Sequence, residues 1–235
     1  MKLRRNLLKR SQLYPLRSPA ARVATSNGVY LILDRPGFNR VSLKKISNLV
    51  SGKEIGLIQL RDKSSAKADI LKFAIKLSRR LKKSKTLFII NDHLDIAKLV
   101  KADGLHLGQM DLPISAAREI LGKDKIIGVS CHNLSQALKA QKDGADYIGI
   151  GPVYKTSTKP GCNAIGEKVL KQLRGRINIP YFAIGNICKS NISRIVSAGA
   201  TRVAVCRAIL NSKNSKQAAK ELLMALPRGR QTTVF

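Results

Sequence analysis

The sequence predicts a single (β/α)8 TIM barrel, α/β with parallel strands, on three observations. Short apolar runs recur along most of the chain, and stretches with helical spacing lie between them. This alternation is typical of a parallel sheet with crossover helices. The runs number eight, and the 235 residues match the usual size of such a barrel, about 250.

Each strand is predicted from an apolar run that ends in a polar or glycine-rich turn. In chain order the runs are Val29–Leu33, Ile55–Leu60, Leu87–Ile90, Gly104–Leu107, Ile126–Val129, Tyr147–Ile150, Tyr181–Ile184 and Arg202–Val205. Helical spacing is clearest in Ala66–Leu81, Leu134–Lys142, Ile192–Ala198 and Gln217–Ala225. An open doubly wound sheet is the alternative, but its usual G-x-G-x-x-G fingerprint after the first strand is absent.

The barrel is expected over residues 28–226. Residues 1–27 form a basic N-terminal extension and residues 227–235 a short C-terminal tail, and we expect both to be mobile because they fall outside the repeat. The opening segment lacks the apolar core of a secretory signal. A short organellar transit peptide is the alternative to a disordered extension.

Charge and cysteine content narrow the class of protein. The chain has 44 Lys plus Arg against 14 Asp plus Glu, a formal charge of +30, which implies affinity for anions. A nucleic-acid partner is one interpretation of this charge, but the aromatic residues of a base-stacking surface are missing from the basic segments. We favour the interpretation that the lysines are spread over solvated helix faces. The four cysteines form no C-x-x-C pair, which indicates free thiols and a cytoplasmic location.

Two acids follow neighbouring strands at matching positions. Asp92 comes after the third run and Asp111 after the fourth. Mg²⁺ takes one or two carboxylates plus the phosphates of a substrate, so the pair predicts a shared cation site. The alternative is that each acid caps the helix that follows it.

Basic and hydroxyl residues follow the other strands. Gln59, Arg61 and Lys63 alternate after the second run and share one face, which suits an anion. An exposed loop with an Arg61–Asp62 pair is the alternative. The long loop after the sixth run carries Thr156, Thr158 and Lys159 among glycines and is typical of a lid over an anion.

Three further positions are candidates of different kinds. Ser130, after the fifth run, has a hydroxyl that can bind a phosphate oxygen. Backbone N–H groups near Gly185, after the seventh run, can do the same. His106 is expected inside the barrel as a structural histidine. A catalytic Cys131–His132 pair is disfavoured, since adjacent residues of an extended chain point apart.

In their order along the chain, several of these segments resemble thiamine-phosphate synthase. The matching segments are Gln59–Lys63, Asn91–Asp92, Gly104–Pro113, Gly128–Ser130, Gly144–Pro152, Thr158–Gly161 and Ala183–Gly185. The resemblance covers roughly residues 28 to 212. It implies a Mg²⁺-dependent transferase that joins hydroxymethylpyrimidine diphosphate to hydroxyethylthiazole phosphate, with loss of pyrophosphate before capture by the thiazole nitrogen.

The resemblance also implies roles for the site residues. Asp92 and Asp111 would hold Mg²⁺, and Gln59 would line the site. The diphosphate would be held by Arg61, Lys63, Asn91, Ser130 and Lys159, of which Lys159, Arg61 and Ser130 are the catalytic candidates. The thiazole phosphate would be held by Thr156, Thr158, Gly185, Cys206 and Arg207. Phosphorylated small molecules are the expected partners, with a possible homo-oligomer and no membrane.

The chain departs from the family pattern at four positions. Asn186 stands where the family has a second glycine, Arg207 where it has Ser, Cys131 where it has Thr and Met110 where Glu is common. Asn186 and Arg207 fall on the expected thiazole-phosphate pocket. A thiazole tautomerase-like paralogue, which needs no Mg²⁺, is the rival within this fold, and a basic nucleic-acid-binding protein is the rival outside it.

Overall fold

Eight parallel strands close into a barrel in which each strand pairs with its sequence neighbour and β8 pairs with β1. The computed structural model describes residues 18–34, 42–156 and 161–227. The strands are β1 (Val29–Asp34), β2 (Ile55–Arg61), β3 (Leu87–Asn91), β4 (Gly104–Leu107), β5 (Ile126–Cys131), β6 (Tyr147–Ile150), β7 (Tyr181–Ile184) and β8 (Val203–Val205). The predicted (β/α)8 barrel is confirmed.

Helices surround the barrel and pack on the outward faces of the strands. Within the described residues they are α1 (Pro19–Thr25), α2 (Leu43–Val50), α3 (Lys67–Leu81), α4 (Leu94–Leu99), α5 (Ile114–Leu121), α6 (Leu134–Lys142), α7 (Lys168–Leu173), α8 (Ile192–Ser197), α9 (Arg207–Leu210) and α10 (Ser215–Ala225). Several begin at a capping side chain. Asn133, for example, accepts a hydrogen bond from the backbone N–H of Gln136 at 2.9 Å, which fixes the start of α6.

Aromatic rings fill the middle of the barrel interior. Tyr30, Tyr147 and Phe182 meet edge to face, with ring centroids 5.1 to 5.8 Å apart. Gly128 lies opposite Tyr147 in the pairing of β5 with β6, and a Cβ at Gly128 would overlap the Tyr147 ring. Glycine at this strand position therefore makes room for the buried tyrosine.

The N-terminal boundary differs from the expected one. We expected residues 1–27 to be a mobile extension, but Pro19–Thr25 forms α1, which Ser18 caps by accepting from the N–H of Ala21. Val23 on this helix is fully buried and clusters with the interior residues of the barrel, including Leu57. The helix therefore closes the end of the barrel at which the strands begin. Residues 1–17 lie outside the described residues.

The last helix of the described residues ends next to residue 226, the expected end of the barrel domain. Helix α10 ends at Ala225, and Leu226 is buried with the core. Residues 228–235, most of the expected tail, lie outside the described residues. None of the helices in the described part of the chain combines the length and the apolar character needed to cross a membrane.

Candidate active site

The carboxyl ends of the strands surround a cavity of about 530 Å³. Small-molecule sites usually have volumes of about 300–1,000 Å³. Ten of the predicted site residues line this cavity: Gln59, Arg61, Lys63, Asn91, Asp92, Ser130, Thr156, Gly185, Cys206 and Arg207. Thr158 and Lys159 lie outside the described residues, and Asp111 is placed beside the cavity by its contact with Asp92.

Arg61 is held at the mouth by an acid from the neighbouring strand. It ends β2 and pairs in register with Asp34, the last residue of β1, and the two side chains form an ion pair. Only 14% of the arginine side chain and 11% of the aspartate side chain are exposed. Asp62 accepts hydrogen bonds from the N–H groups of Ser64 and Ser65 and so shapes the next turn. The β2 end thus presents an oriented guanidinium to the cavity.

Asp92 and Asp111 meet at the mouth of the barrel, where their carboxyl groups hydrogen-bond to each other. Asp92 also lies 3.0 Å from the ammonium of Lys63, and Asp111 accepts from the N–H of Gly108 at 2.6 Å. Neither acid caps a helix, because the residue before α4 is His93 and the residue before α5 is Pro113. The alternative capping roles therefore do not occur.

The two carboxyl groups behave as one coupled pair. Burial raises the pKa of Asp92, with Lys63 opposing the effect and Asp111 adding to it. Burial also acts to raise the pKa of Asp111, but the Gly108 N–H, the contact with Asp92 and the charge of Lys63 outweigh it, so the net pKa is lowered. The opposite shifts follow from the contact, because two neighbouring carboxyl groups do not easily ionise side by side.

This pair fits a divalent cation. Carboxylate oxygens are the hard ligands that Mg²⁺ prefers, and a cation between the two groups would offset their mutual repulsion. Among the described residues, no group of three or more His, Cys, Asp or Glu side chains is placed to hold a metal. A site with two carboxylates therefore leaves the remaining positions of the ion to water and to substrate phosphates.

Cys131 and His132 do not form a catalytic pair. The Cys131 thiol is fully buried in the outer core, and burial raises its pKa to about 12. His132 lines the cavity instead, with its Nδ1 hydrogen-bonded to the carbonyl of Gly151. A thiol that stays protonated and faces away from the cavity is unsuited to nucleophilic attack.

Comparison with known proteins identifies the family of this chain. The sequence model of thiamine monophosphate synthase matches residues 29–209, nearly the whole barrel. The chain belongs to the thiamine monophosphate synthase family. It is 42% identical to the thiamine-phosphate synthase of Prochlorococcus marinus over 89% of its own length and 59% of that protein. It is 39% identical to the thiamine-phosphate synthase of Clostridium acetobutylicum over 82% of its own length and 91% of that protein.

A solved structure supports the same assignment for this thiamine monophosphate synthase family member. Thiamine phosphate pyrophosphorylase from Pyrococcus furiosus superposes with a TM-score of 0.74 at 30% sequence identity. The match covers 87% of this chain and 96% of that one. The barrel and its order of strands are therefore those of the family.

Asn186 stands where the family pattern has a second glycine, and the backbone explains why it is tolerated. Gly185 and Asn186 both have positive φ, 112° and 50°. Asparagine enters the left-handed region at lower cost than most residues. Asn191 secures the turn, since its side chain donates to the carbonyl of Asn186 and accepts from the N–H of Cys188, each at 2.9 Å. The turn is kept, and an exposed amide is added at the edge of the cavity.

Arg207 lines the same cavity as this turn. It opens the short helix α9, directly after Cys206, and its side chain is exposed. Gly185 packs against Pro152 so closely that a Cβ would clash, so only glycine fits this side of the turn. In this family member a guanidinium and an amide thus stand where the pattern has a serine and a glycine.

Sequence reasoning missed three residues of the site, namely Asp34, Tyr30 and Tyr147. All three lie on barrel strands or at a strand end. The two tyrosines resemble core residues in the sequence because they lie in apolar runs. The signal was available in the alternation of β1: Tyr30 and Asp34 share the parity of Ile32, which also faces the cavity. A buried tyrosine hydroxyl needs a partner, so two of them at equal depth predict a polar cluster.

Proposed function

We propose that this chain is a thiamine-phosphate synthase, which joins hydroxymethylpyrimidine diphosphate to hydroxyethylthiazole phosphate and releases pyrophosphate. The observation that carries this proposal is the arrangement of charges at one mouth of the barrel. The ammonium of Lys63 lies 3.0 Å from Asp92, which contacts Asp111, and Arg61 lines the same cavity beside its partner Asp34. A diphosphate with a bound divalent cation suits both halves of this arrangement.

The chemistry requires charge stabilisation and no general base. The bond between the pyrimidine methylene carbon and the diphosphate oxygen breaks, and its electron pair leaves with the diphosphate. The lone pair of the thiazole nitrogen then forms the new bond to that carbon, and no proton is removed. Arg61 and Lys63 stabilise the charge that grows on the leaving diphosphate. Lys159 has the same proposed role on sequence grounds, and Asn91 and Ser130 add hydrogen-bond donors.

Asp92 and Asp111 would hold Mg²⁺ in this scheme. When bound, the ion would neutralise negative charge on the departing diphosphate. Lys63 keeps Asp92 oriented at the mouth, and the Gly108 N–H does the same for Asp111. The chain's own part is therefore to place two carboxylates at a fixed separation beside the cations of the β2 end.

The second substrate is assigned to the opposite wall of the cavity. Gly185, Asn186 and Arg207 would hold its phosphate, with Thr156 and Thr158 from the β6–α7 loop and the backbone of Cys206. Apolar side chains line the space between the two charged regions and suit aromatic rings: Ile32, Ile184 and Ala204. Fixing both phosphates makes the bond-forming step effectively unimolecular.

The test is a coupled assay with both substrates, with Mg²⁺ and with a chelator. We expect thiamine phosphate and pyrophosphate in equal amounts, and loss of both when the metal is removed. Turnover of a thiazole phosphate alone, without Mg²⁺, would instead support the tautomerase-like activity. Lack of turnover together with salt-dependent retention on DNA would support nucleic-acid binding.

We place the reaction in the cytoplasm, on the ground that the four cysteines are all free thiols. The possible homo-oligomer stays a prediction. Analytical ultracentrifugation of the full chain in 0.15 M and 0.5 M salt would test it while screening the +30 charge.

A further inference from the structure

A chain of hydrogen bonds crosses the barrel interior from Gln59 to Ser130. The amide Nε2 of Gln59 donates to the Tyr30 hydroxyl at 2.7 Å, and the hydroxyls of Tyr30 and Tyr147 are 2.8 Å apart. The Tyr147 hydroxyl lies 2.9 Å from Nδ1 of His106, and Nε2 of the same ring lies 2.9 Å from Oγ of Ser130. The first four residues are buried, and all of the five except Tyr147 contribute to the lining of the cavity.

The donor of each hydrogen bond in this series can be assigned by starting from Gln59. Gln59 presents an N–H, so the oxygen of Tyr30 accepts there. The single proton of the Tyr30 hydroxyl then points to Tyr147, its other neighbour within hydrogen-bonding distance among the described residues. Tyr147 in turn passes its own proton to Nδ1 of His106. A neutral imidazole that accepts at Nδ1 carries its proton on Nε2 and donates from there to Ser130.

The opposite direction is costly. If Ser130 donated to His106 and His106 to Tyr147, the Tyr147 proton would point to Tyr30. The oxygen of Tyr30 would then accept from both Gln59 and Tyr147, and its own proton would lose its protein acceptor at a position that lines the cavity but is only 2% exposed. An unpaired buried hydroxyl costs about 1–3 kcal/mol.

Both tyrosines remain neutral, which keeps the chain intact. Burial raises the pKa of Tyr30 and the pKa of Tyr147 well above the ordinary value for tyrosine. The barrel also holds the partners in register, since His106 lies opposite Gly128, and Gly128 lies opposite Tyr147. The geometry is therefore set by strand pairing and not by flexible loops.

We infer that this chain fixes His106 as the Nε2–H tautomer and thereby leaves the Ser130 hydroxyl to donate into the cavity. Tyr147 and His106 are positioning residues, because they act on a ligand only through Ser130. The cavity then selects a hydrogen-bond acceptor at this point. The identity of that acceptor rests on the proposed function, in which it is an oxygen of the leaving diphosphate.

Nitrogen-15 NMR of histidine-labelled protein tests the tautomer directly, without reference to activity. The chain has three histidines, and the His106→Gln variant assigns the signals of His106 by their loss. We expect a protonated Nε2 and an unprotonated Nδ1. A protonated Nδ1 as the main form would overturn the inference, whether or not the protein turns over the proposed substrates.

Two conservative variants test which tyrosine fixes the tautomer of His106. Tyr147→Phe removes the donor to Nδ1, so both tautomers of His106 should be populated. Tyr30→Phe removes a hydroxyl one step further away. Tyr147 keeps His106 as its acceptor there, and the tautomer should stay as in the wild type. A wild-type histidine spectrum in Tyr147→Phe would contradict the assignment.

Binding of inorganic pyrophosphate in the presence of Mg²⁺, measured by calorimetry, tests the consequence. Ser130→Ala should weaken binding about 10-fold or more, the usual effect of a hydrogen bond to a charged group. Tyr147→Phe should weaken it about 3- to 10-fold, and the double variant should match Ser130→Ala alone. Additive losses would show that Tyr147 does not act through Ser130. Wild-type protein that shows the expected tautomer but binds no pyrophosphate would refute the proposed function and leave the tautomer assignment standing.

Discussion

Arg61 and Asp34 form an ion pair across the ends of β2 and β1, with 14% and 11% of their side chains exposed. The contact uses Nη1 of the guanidinium, and Arg61 is one of the residues that line the cavity. Arginine gains selectivity for phosphate from the fixed plane of that fork. The acid therefore serves the site by orienting the cation, and it lowers the net positive charge at the mouth.

Removing the charge of Asp34 should impair the reaction through Arg61. We expect Asp34→Asn to lower kcat about 10-fold, because a guanidinium displaced by even about 1 Å loses much of its catalytic effect. Asp103→Asn is the matched control, since Asp103 pairs with Arg22 at the other end of the barrel. The control should lower the Tm and leave kcat unchanged. Equal kcat values for Asp34→Asn and wild type would contradict the orienting role.

Neutralising either member of the carboxyl pair should remove Mg²⁺-dependent turnover. Asn is the better replacement at Asp92, because φ there is 61° and asparagine tolerates this region. We expect Asp92→Asn and Asp111→Asn to lower kcat/KM by about 10²-fold or more at saturating Mg²⁺. Asp95→Asn is the control, because Asp95 lies at the start of α4, just after Asp92, and forms only an exposed pair with Lys67 of α3. Activity titrated against Mg²⁺ decides the outcome, and full activity in both variants would refute the metal site.

Truncations should separate the first 17 residues from α1. Deleting residues 2–17 should leave both the Tm and kcat unchanged. Deleting residues 2–26 also removes Val23, whose burial contributes at least about 2 kcal/mol, and should lower the Tm by roughly 4–8 °C. Calorimetric melting of the two truncated proteins measures this difference. An identical Tm for both would mean that α1 adds nothing to the barrel.

The loop after β6 should contribute through Lys159, as the sequence predicts. We expect Lys159→Ala to lower the single-turnover rate about 10²–10³-fold, as loss of a donor to a developing charge does elsewhere, with a smaller change in substrate affinity. Lys155→Ala is the control, because Lys155 is an exposed lysine of the same loop. A Lys159 variant with an unchanged chemical rate would make the loop an ordinary connection.

Cys131 should be dispensable for turnover. Its thiol is fully buried outside the barrel, and its pKa is about 12, so the reactive thiolate is scarce below that pH. We expect Cys131→Ala to keep kcat while costing about 1 kcal/mol of unfolding free energy. Urea denaturation and the coupled assay measure the two quantities. A loss of kcat without a loss of stability would argue for a chemical role.

The barrel could be predicted from the sequence because strand periodicity is local. All eight runs became strands, and boundaries moved by one or two residues, as at Asp34 and Cys131. Since parallel strands end at one edge, the approach of Asp92 to Asp111 was also foreseeable. Helix α1 was not, because its apolar stripe is short and only the open end of the barrel gives Val23 a place to be buried.

The polar interior could not be predicted because it depends on pairing between distant strands. Tyr30 and Tyr147 are 117 positions apart, and only barrel closure brings their hydroxyls within 2.8 Å. The same holds for Asp34 and Arg61, which meet through the register of β1 with β2. The left-handed turn at Asn186 was likewise hidden, since its sequence departs from the family's pair of glycines.

Val23 gives the barrel a blind end, because it fills the interior at the side away from the cavity. Reactants and products of the proposed reaction must then enter and leave through the open end of the barrel, past the charged side chains that line the cavity there: Arg61, Lys63 and Arg207.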